Sequence, residues 1–383
     1  MTGKTILILG GGIGGIVAAR ELRKHLAAHH RVILVDKSAI HSFPASFLWV
    51  MVGWRKPSAI QKPLALLEKY GIEFHHATVQ SIDVDHRTVE TDRATVHFDY
   101  LIIALGAELA PQNVPGLHEC SHSFYTLESA EKLASTLTTF SGGTIAIVVS
   151  SIPYKCPPAP YEAAFLLESF FSQKAPGNVE IKIFTPEQAP LSAAGSQASQ
   201  MLQELLRTRG IAFSTQCNIM SVNPLSRQLT FENGSTASFD LLIAIPPHQA
   251  PRVVQTAGLM NESGWIAVDE RTLRTSHSNV FALGDVTTIP LVSGFSLPKA
   301  GAFAVGQAEV VAHNIATEIN YKGISKQFLG TGYCFLETGS GRAGYISGNF
   351  YAKPVPEITF HEPSVKYHWA KVVFEKYWLW RWF

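Results

Sequence analysis

Short, uninterrupted aliphatic runs recur along the chain. Residues 4–10 (KTILILG), 31–36 (RVILVD), 100–106 (YLIIALG), 144–150 (TIAIVVS), 179–185 (VEIKIFT), 240–246 (DLLIAIP) and 279–285 (NVFALGD) carry almost no polar interruption. That is the pattern of strands buried on both faces of a parallel sheet. Between the first two runs, residues 14–26 (GGIVAARELRKHL) repeat apolar positions at helical spacing, which makes a βαβ unit of the opening. Segments 88–98 and 226–239 instead alternate apolar with polar residues around turn signals such as ENG at 232–234. A period of two predicts antiparallel hairpins there. The opening near Ile6 is echoed near Ile145, so the expected class is α/β, with two related parallel-sheet units in tandem.

Composition narrows the functions. With 383 residues the chain is long enough for two or three domains. The predicted division is 1–110 and 256–320 for a first domain in two parts, 111–255 for a second, and 321–383 for a C-terminal region. Apolar residues are 46% and charged ones 16% of the chain, so some apolar surface is expected to face something other than water. A net charge of +1 without a basic block argues against nucleic acid as a partner. No signal peptide is visible ahead of the first strand and no run of about 18 apolar residues occurs, so membrane contact is expected to be peripheral. The fifteen histidines show no metal-site spacing. No metal is predicted.

The first chemical motif is GGGIGG, residues 10–15, which contains G-x-G-x-x-G as Gly10, Gly12 and Gly15. The first glycine permits a tight turn, the second lets a pyrophosphate approach the backbone, and the third lets helix and strand pack closely. Strand before, helix after, and Asp36 ending the next strand make this a dinucleotide site, with Asp36 on a ribose diol. Near the other end VFALGDV, 280–286, places Gly284 and Asp285 just after a buried strand.

ILGGGIGG, LIIALGAEL, VFALGDV and LPKAGAFAVGQAEVVAHNI, in this order and spacing over roughly residues 4–315, resemble the FAD-binding signatures of the pyridine-nucleotide-disulfide oxidoreductase superfamily. The resemblance implies two Rossmann-like domains, each a parallel sheet with an antiparallel insertion. It assigns Gly10, Gly12, Gly15 and Asp36 to the ADP half of FAD, adds Val79, Gly106 and Gly284 to the cofactor-binding set, and places Asp285 at the ribityl chain and Lys299 beside the flavin ring. Members that oxidise NADH or NADPH repeat the glycine turn in the second domain. Here that turn is SSIPYKCPPAP, residues 150–160, with no glycine and prolines at 153, 157, 158 and 160. Prolines remove the N–H donors that a phosphate needs, so the nicotinamide site is expected to be lost, and Cys156 stands in its place.

Four cysteines, Cys120, Cys156, Cys217 and Cys334, are too few for a disulfide framework. YKCPPAPYEAA, AIPPH and YCFLETG are similar to the sulfide:quinone oxidoreductases and to the flavoprotein subunit of flavocytochrome c sulfide dehydrogenase. That resemblance implies a redox disulfide between Cys156 and Cys334, attacked by hydrogen sulfide, with two electrons passing through non-covalent FAD to quinone and with polysulfide or sulfur as product. Lys155 is placed to stabilise a thiolate, Lys299 joins the catalytic set, and Cys120 and Cys217 are read as packing residues. Many relatives carry a third redox cysteine where this chain has Tyr125 and Thr126, which puts their polysulfide handling and thioether link in question. His41 falls where the sulfide dehydrogenase holds the dimethylbenzene edge. Competing expectations are a cytochrome-linked sulfide dehydrogenase subunit, an NADH:quinone oxidoreductase-like flavoprotein, and a redox-silent FAD scaffold.

The tail, VKYHWAKVVFEKYWLWRWF, holds four of the seven tryptophans. On a helix, Trp369, Val372, Val373, Tyr377, Trp380 and Phe383 share one broad face and Lys371 and Glu375 point away. Tryptophan and tyrosine beside lysine and arginine suit a bilayer surface, making this a monotopic, membrane-interface helix. The competing reading is a core or dimer helix, and a homo-oligomer is left open. On the anchor reading, a chain ending near Glu362 is expected to keep its FAD spectrum and its response to sulfide.

Overall fold

The computed structural model describes residues 3–383. Five parallel strands form the first sheet, in the spatial order Val280–Ala282, Tyr100–Ile103, Thr5–Leu9, Arg31–Asp36 and Glu73–His76. The four strands other than the edge strand Glu73–His76 are chiefly aliphatic because helices cover one face and an antiparallel layer the other, so both must be dry; Ile6 through Leu9 are fully buried. The helix Ile13–His25 crosses to the second strand and packs against the long helix Gly301–Asn320. A second parallel sheet, in the order Ser121–His122, Leu241–Ile245, Gly143–Val149, Val179–Phe184 and Ala212–Ser214, repeats the plan. The chain is thus α/β with two Rossmann-like sheets.

The predicted hairpins are each one strand larger. Val79–Asp83 joins Thr88–Thr91 and Thr95–His97, and Ile219–Asn223 joins Gln228–Phe231 and Thr236–Ser238. A register irregularity in the added strand of each, between Val79 and Ser81 and between Ile219 and Ser221, breaks the alternation that would have marked it in sequence.

A three-stranded antiparallel sheet, Thr331–Glu337, Ala343–Asn349 and Glu357–Ser364, leads into the C-terminal helix Val365–Trp382. The helix has an apolar outside. Val365, Trp369, Val373, Tyr377 and Trp380 lie within a 120° arc at 100° per residue and are 49 to 74% exposed. Its inner arc carries Lys371, Glu375, Trp378, Leu379 and Trp382, all buried. Two placements differ from the sequence reading. Phe383 turns inward, its carbonyl accepting from the Tyr70 hydroxyl at 3.2 Å. The tail is also part of the core, so a chain ending near Glu362 would strip Trp378, Leu379 and Trp382 from their partners, and truncation cannot isolate an anchoring role.

Trp378→Ala is expected to cost about 3–5 kcal/mol in denaturant unfolding, as a large core truncation does. The outward Trp380→Ala should stay within about 0.5 kcal/mol of the parent. Equal costs would mean the two faces are assigned wrongly.

Candidate active site

Three turns meet at the C-terminal edge of the first sheet, because the strands before them are neighbours. The first follows Leu9. Gly10 has φ +104°, where a side chain would also meet the Ala104 carbonyl oxygen at 2.4 Å, and a Cβ on Gly15 would lie 1.8 Å from the Gly10 oxygen. The position at Gly12 is open, with nothing within 4 Å. The Asp36 carboxylate accepts from Gly11 N–H at 2.5 Å and Ser38 N–H at 2.7 Å, and Ala77 N–H, two residues before Val79, bonds the Asp36 carbonyl. The other two turns carry Gly106, at φ +70°, and Gly284, at φ +74°, whose N–H donates to Gln307 Oε1 at 2.7 Å. An open cradle beside a carboxylate fits the adenosine and pyrophosphate of a dinucleotide.

Lys299 is not a solvated lysine at a helix start. It is buried, its ammonium donates to the carbonyls of Asp285 at 2.7 Å and Thr287 at 2.9 Å, and it sits 3.4 Å from the Trp265 ring centre. Burial lowers its pKa to about 8, against the pull of the Asp285 carboxylate. Burial likewise raises Asp285, countered by Lys155 and Lys299.

At the same edge of the second sheet the proline-rich loop closes the place a second phosphate would need. The helix Ala159–Lys174 starts behind Pro158 and has Pro160 in its first turn. Ala159 N–H is bonded to the Cys156 carbonyl at 2.8 Å and Glu162 N–H to Pro158 at 2.9 Å. Two donors are missing, two are used, and Glu162 adds negative charge. That leaves a dinucleotide phosphate few donors at this helix start.

Cys156 itself has φ +56°, a left-handed conformation uncommon outside glycine. Its N–H donates to the Lys299 carbonyl at 2.7 Å. The Tyr125 hydroxyl donates to the Lys155 carbonyl at 2.9 Å, so the residue standing at the third-cysteine position helps brace this loop. Thr126 caps the following helix, Leu127–Thr139. The structure brings Cys334, from the first strand of the C-terminal sheet, beside Cys156, both as free thiols. That contact first, then burial, pushes the Cys156 thiol well above its usual pKa, while Lys371 pulls it down. Cys120 and Cys217 donate instead to the backbone carbonyls of Gly116 and Thr215, both at 3.3 Å, within another apolar cluster.

Behind the pair lies a charged cluster that the sequence reading missed. Glu162, Glu337 and Lys371 are all buried. Lys371 Nζ bonds Glu162 Oε1, and His368 Nδ1 donates to the Glu337 carboxylate at 3.0 Å. Burial lifts the Glu162 pKa to about 7 against the pull of Lys371. The signal available was the helical wheel, which groups Lys371 and Glu375 with Trp378 and Trp382.

His41 is buried, its Nδ1–H donating to the Gly11 carbonyl at 3.1 Å and its ring stacked 4.9 Å from that of Trp378. Burial depresses its pKa to about 4. Its Nε2 and that of His248, in the AIPPH stretch, are buried with no protein partner among the described residues.

A cavity of about 510 Å³ opens on Cys334 and Lys299, walled by Tyr154, Pro157, Phe303 and Phe350, with Glu187 as an acidic spot. Glu187 Oε2 accepts from Tyr161 at 2.7 Å, Tyr154 at 3.0 Å and Thr185 at 3.1 Å. Ile152 and Phe295, which also line the cavity, are partly exposed.

The chain is 29% identical over 401 aligned positions to a sulfide-quinone reductase of Aquifex aeolicus, covering 99% of this chain and 91% of the relative. It is 26% identical to the mitochondrial sulfide:quinone oxidoreductase of Mus musculus, covering 93% and 80%. The solved Aquifex aeolicus sulfide:quinone oxidoreductase superimposes with a TM-score of 0.89 at 27% identity, over 99% of this chain and 91% of that one. Residues 4–308 match the pyridine nucleotide-disulphide oxidoreductase model, and with the glycine cradle and paired sheets already in place the chain belongs to that family of flavin-dependent oxidoreductases.

Proposed function

We propose that this protein oxidises hydrogen sulfide and passes two electrons to a membrane quinone. The observation that carries the reading is the Cys156/Cys334 pair, held where a nicotinamide site would otherwise lie. Non-covalently bound FAD supplies the two-electron relay, held by Gly10, Gly12, Gly15, Asp36, Val79, Gly106, Gly284, Asp285 and Lys299.

The chain's own part is thiol-disulfide exchange. With the pair oxidised, hydrosulfide attacks one sulfur, the Cys156–Cys334 bond breaks, a new S–S bond leaves a persulfide on one cysteine, and the other departs as a thiolate. A second sulfide takes the sulfane sulfur as polysulfide. The cavity beside Cys334 gives reactant and product their room. Lys299, with its pKa near 8, is poised to hold or give up a proton beside the electron acceptor. The aromatic stripe on the C-terminal helix supports a bilayer surface as the place where quinone is met; among the described residues no helix is long and apolar enough to cross a membrane.

Anaerobic titration should bleach the flavin with sulfide and not with NADH; rapid reduction by NADH would overturn this reading, and bleaching by neither would leave a redox-silent FAD protein. Cys156→Ser and Cys334→Ser should each lower sulfide-dependent quinone reduction by at least about 10²-fold with FAD retained, a loss on the scale of removing a covalent nucleophile. Cys120→Ser and Cys217→Ser should stay near the parent rate. Trp369→Ser with Trp380→Ser should lower flotation with liposomes while reduction of a short, soluble quinone persists. Undiminished flotation would remove the helix as the anchor.

A further inference from the structure

The cavity that opens on Cys334 is far larger than sulfide needs. Its volume of about 510 Å³ is that of a pocket for a small organic ligand. Among the described residues that line it, only Glu187 and Lys299 carry charge. The two are not equivalent. Lys299 is committed elsewhere: its ammonium donates to the Asp285 and Thr287 carbonyls and lies against the Trp265 ring, and the Asp285 carboxylate answers its charge. Glu187 has neutral partners alone, with no cation on its carboxylate among the described residues.

The fold holds that carboxylate rigidly. Glu187 follows the strand Val179–Phe184 by three residues and is 8% exposed. Its N–H donates to Thr185 Oγ1 at 3.2 Å and its carbonyl accepts from Gln216 N–H at 3.1 Å. The hydroxyls of Tyr154, Tyr161 and Thr185 all donate to Oε2, and the two tyrosines flank Cys156 in sequence. Three O–H donors on one oxygen favour the ionised form against the opposing effect of burial. Oε1 accepts from no group among the described residues and is not sealed off, so it is left open to the cavity. A buried carboxylate with a free oxygen on an apolar space is a charge that still lacks its counter-ion.

We propose that Glu187 selects by charge which larger molecule collects sulfur in this cavity, favouring small thiols that carry an ammonium group and turning away anionic acceptors. The proposal rests on the sulfide reading above and concerns the step after it. With a persulfide on Cys334, the cysteine of the pair that lines the cavity, the incoming thiol sulfur bonds to the outer sulfur and the inner S–S bond breaks. The proton of that thiol stays on the departing Cys334 sulfur. One persulfide and one thiol give one persulfide and one thiol, and no electron is gained or lost. A single-sign charge in a low-dielectric wall concentrates ligands of the opposite sign, and repulsion of the wrong ones serves specificity as much as attraction does. Sulfide, at neutral pH a mixture of hydrosulfide and neutral hydrogen sulfide, is the nucleophile least hindered by such a field.

The test is sulfide-dependent reduction of a short, soluble quinone by full-length, FAD-loaded protein with three small thiols as acceptors. Cysteamine is cationic, 2-mercaptoethanol neutral and mercaptoacetate anionic, and the persulfide each forms is trapped and weighed by mass spectrometry. The acceptor kcat/KM should fall in that order, with cysteamine ahead of mercaptoacetate by about tenfold or more. Glu187→Gln should lower this ratio severalfold with FAD retained, and Glu187→Asp should keep the order. Each thiol's own reactivity cancels between parent and variant. A parent without the order, or a Glu187→Gln with the parent's ratio, overturns the proposal. If sulfide reduces the parent flavin under no condition, the sulfide reading falls by itself. Labelling of Cys334 in a Cys156→Ser background then judges the cavity, with a trimethylammonium and a sulfonate methanethiosulfonate, each normalised to its rate with free cysteine. Faster labelling by the cation, lost in Glu187→Gln, sustains the charge selection. No preference, or one for the sulfonate, ends it, and this arm decides with Glu187 in place should Glu187→Gln not fold.

Discussion

A single backbone bond, 2.7 Å from Cys156 N–H to the Lys299 carbonyl, ties the two halves of the site together. It joins the proline-framed loop of the second sheet to the segment entering the last helix of the first. Lys299 in turn reaches back with its ammonium to the carbonyls of Asp285 and Thr287. The Gly284 turn, the Lys299 ammonium and Cys156 are thus placed by one short chain of bonds, each a few residues from a strand end. The left-handed conformation at Cys156 is held by this bond on one side and by Ala159 N–H on the other. A non-glycine residue in that region costs about 1–2 kcal/mol, and the two bonds offset it.

The two parallel sheets have the same plan and opposite chemistry at their edges. Gly10, Gly12 and Gly15 leave room and donors for an anion, whereas Pro158, Pro160 and Glu162 remove donors and add a negative charge. Architecture is shared while function is decided by a few residues after each first strand. Filling the second edge also explains how a lysine comes to be buried in the cysteine pocket. Glu162 needs a cation, and the element that reaches it is the C-terminal helix.

The inner strands were legible because they are largely aliphatic, as a doubly covered sheet requires, whereas the edge strands Glu73–His76, Ser121–His122 and Ala212–Ser214 carry no such run; the Gly10–Gly15 turn was legible because its context is local. Cys156 was singled out by its loop, but its pairing with Cys334 came from resemblance, since no local pattern links two residues so far apart in the chain. Glu162 and Lys371 stayed hidden for a physical reason: a charged residue is normally solvated, and only tertiary structure reveals that these two desolvate each other. An amphipathic wheel tells which residues share a side, but the habit of placing charge in water fails for a helix whose outer side is greasier than its inner one. The third strand of each hairpin layer was missed because an irregular register interrupts its alternation.

Because both faces of the C-terminal helix are specified, it is not an interchangeable module. A generic amphipathic helix grafted in its place could present a similar apolar outer face. It would leave the Glu162 carboxylate without its cation and open the packing around Trp49, so the graft would keep the outer surface while losing the charge pairing on the inner one. Homologues would be expected to vary the outer positions of this helix more freely and to change its inner positions only together with the residues they touch.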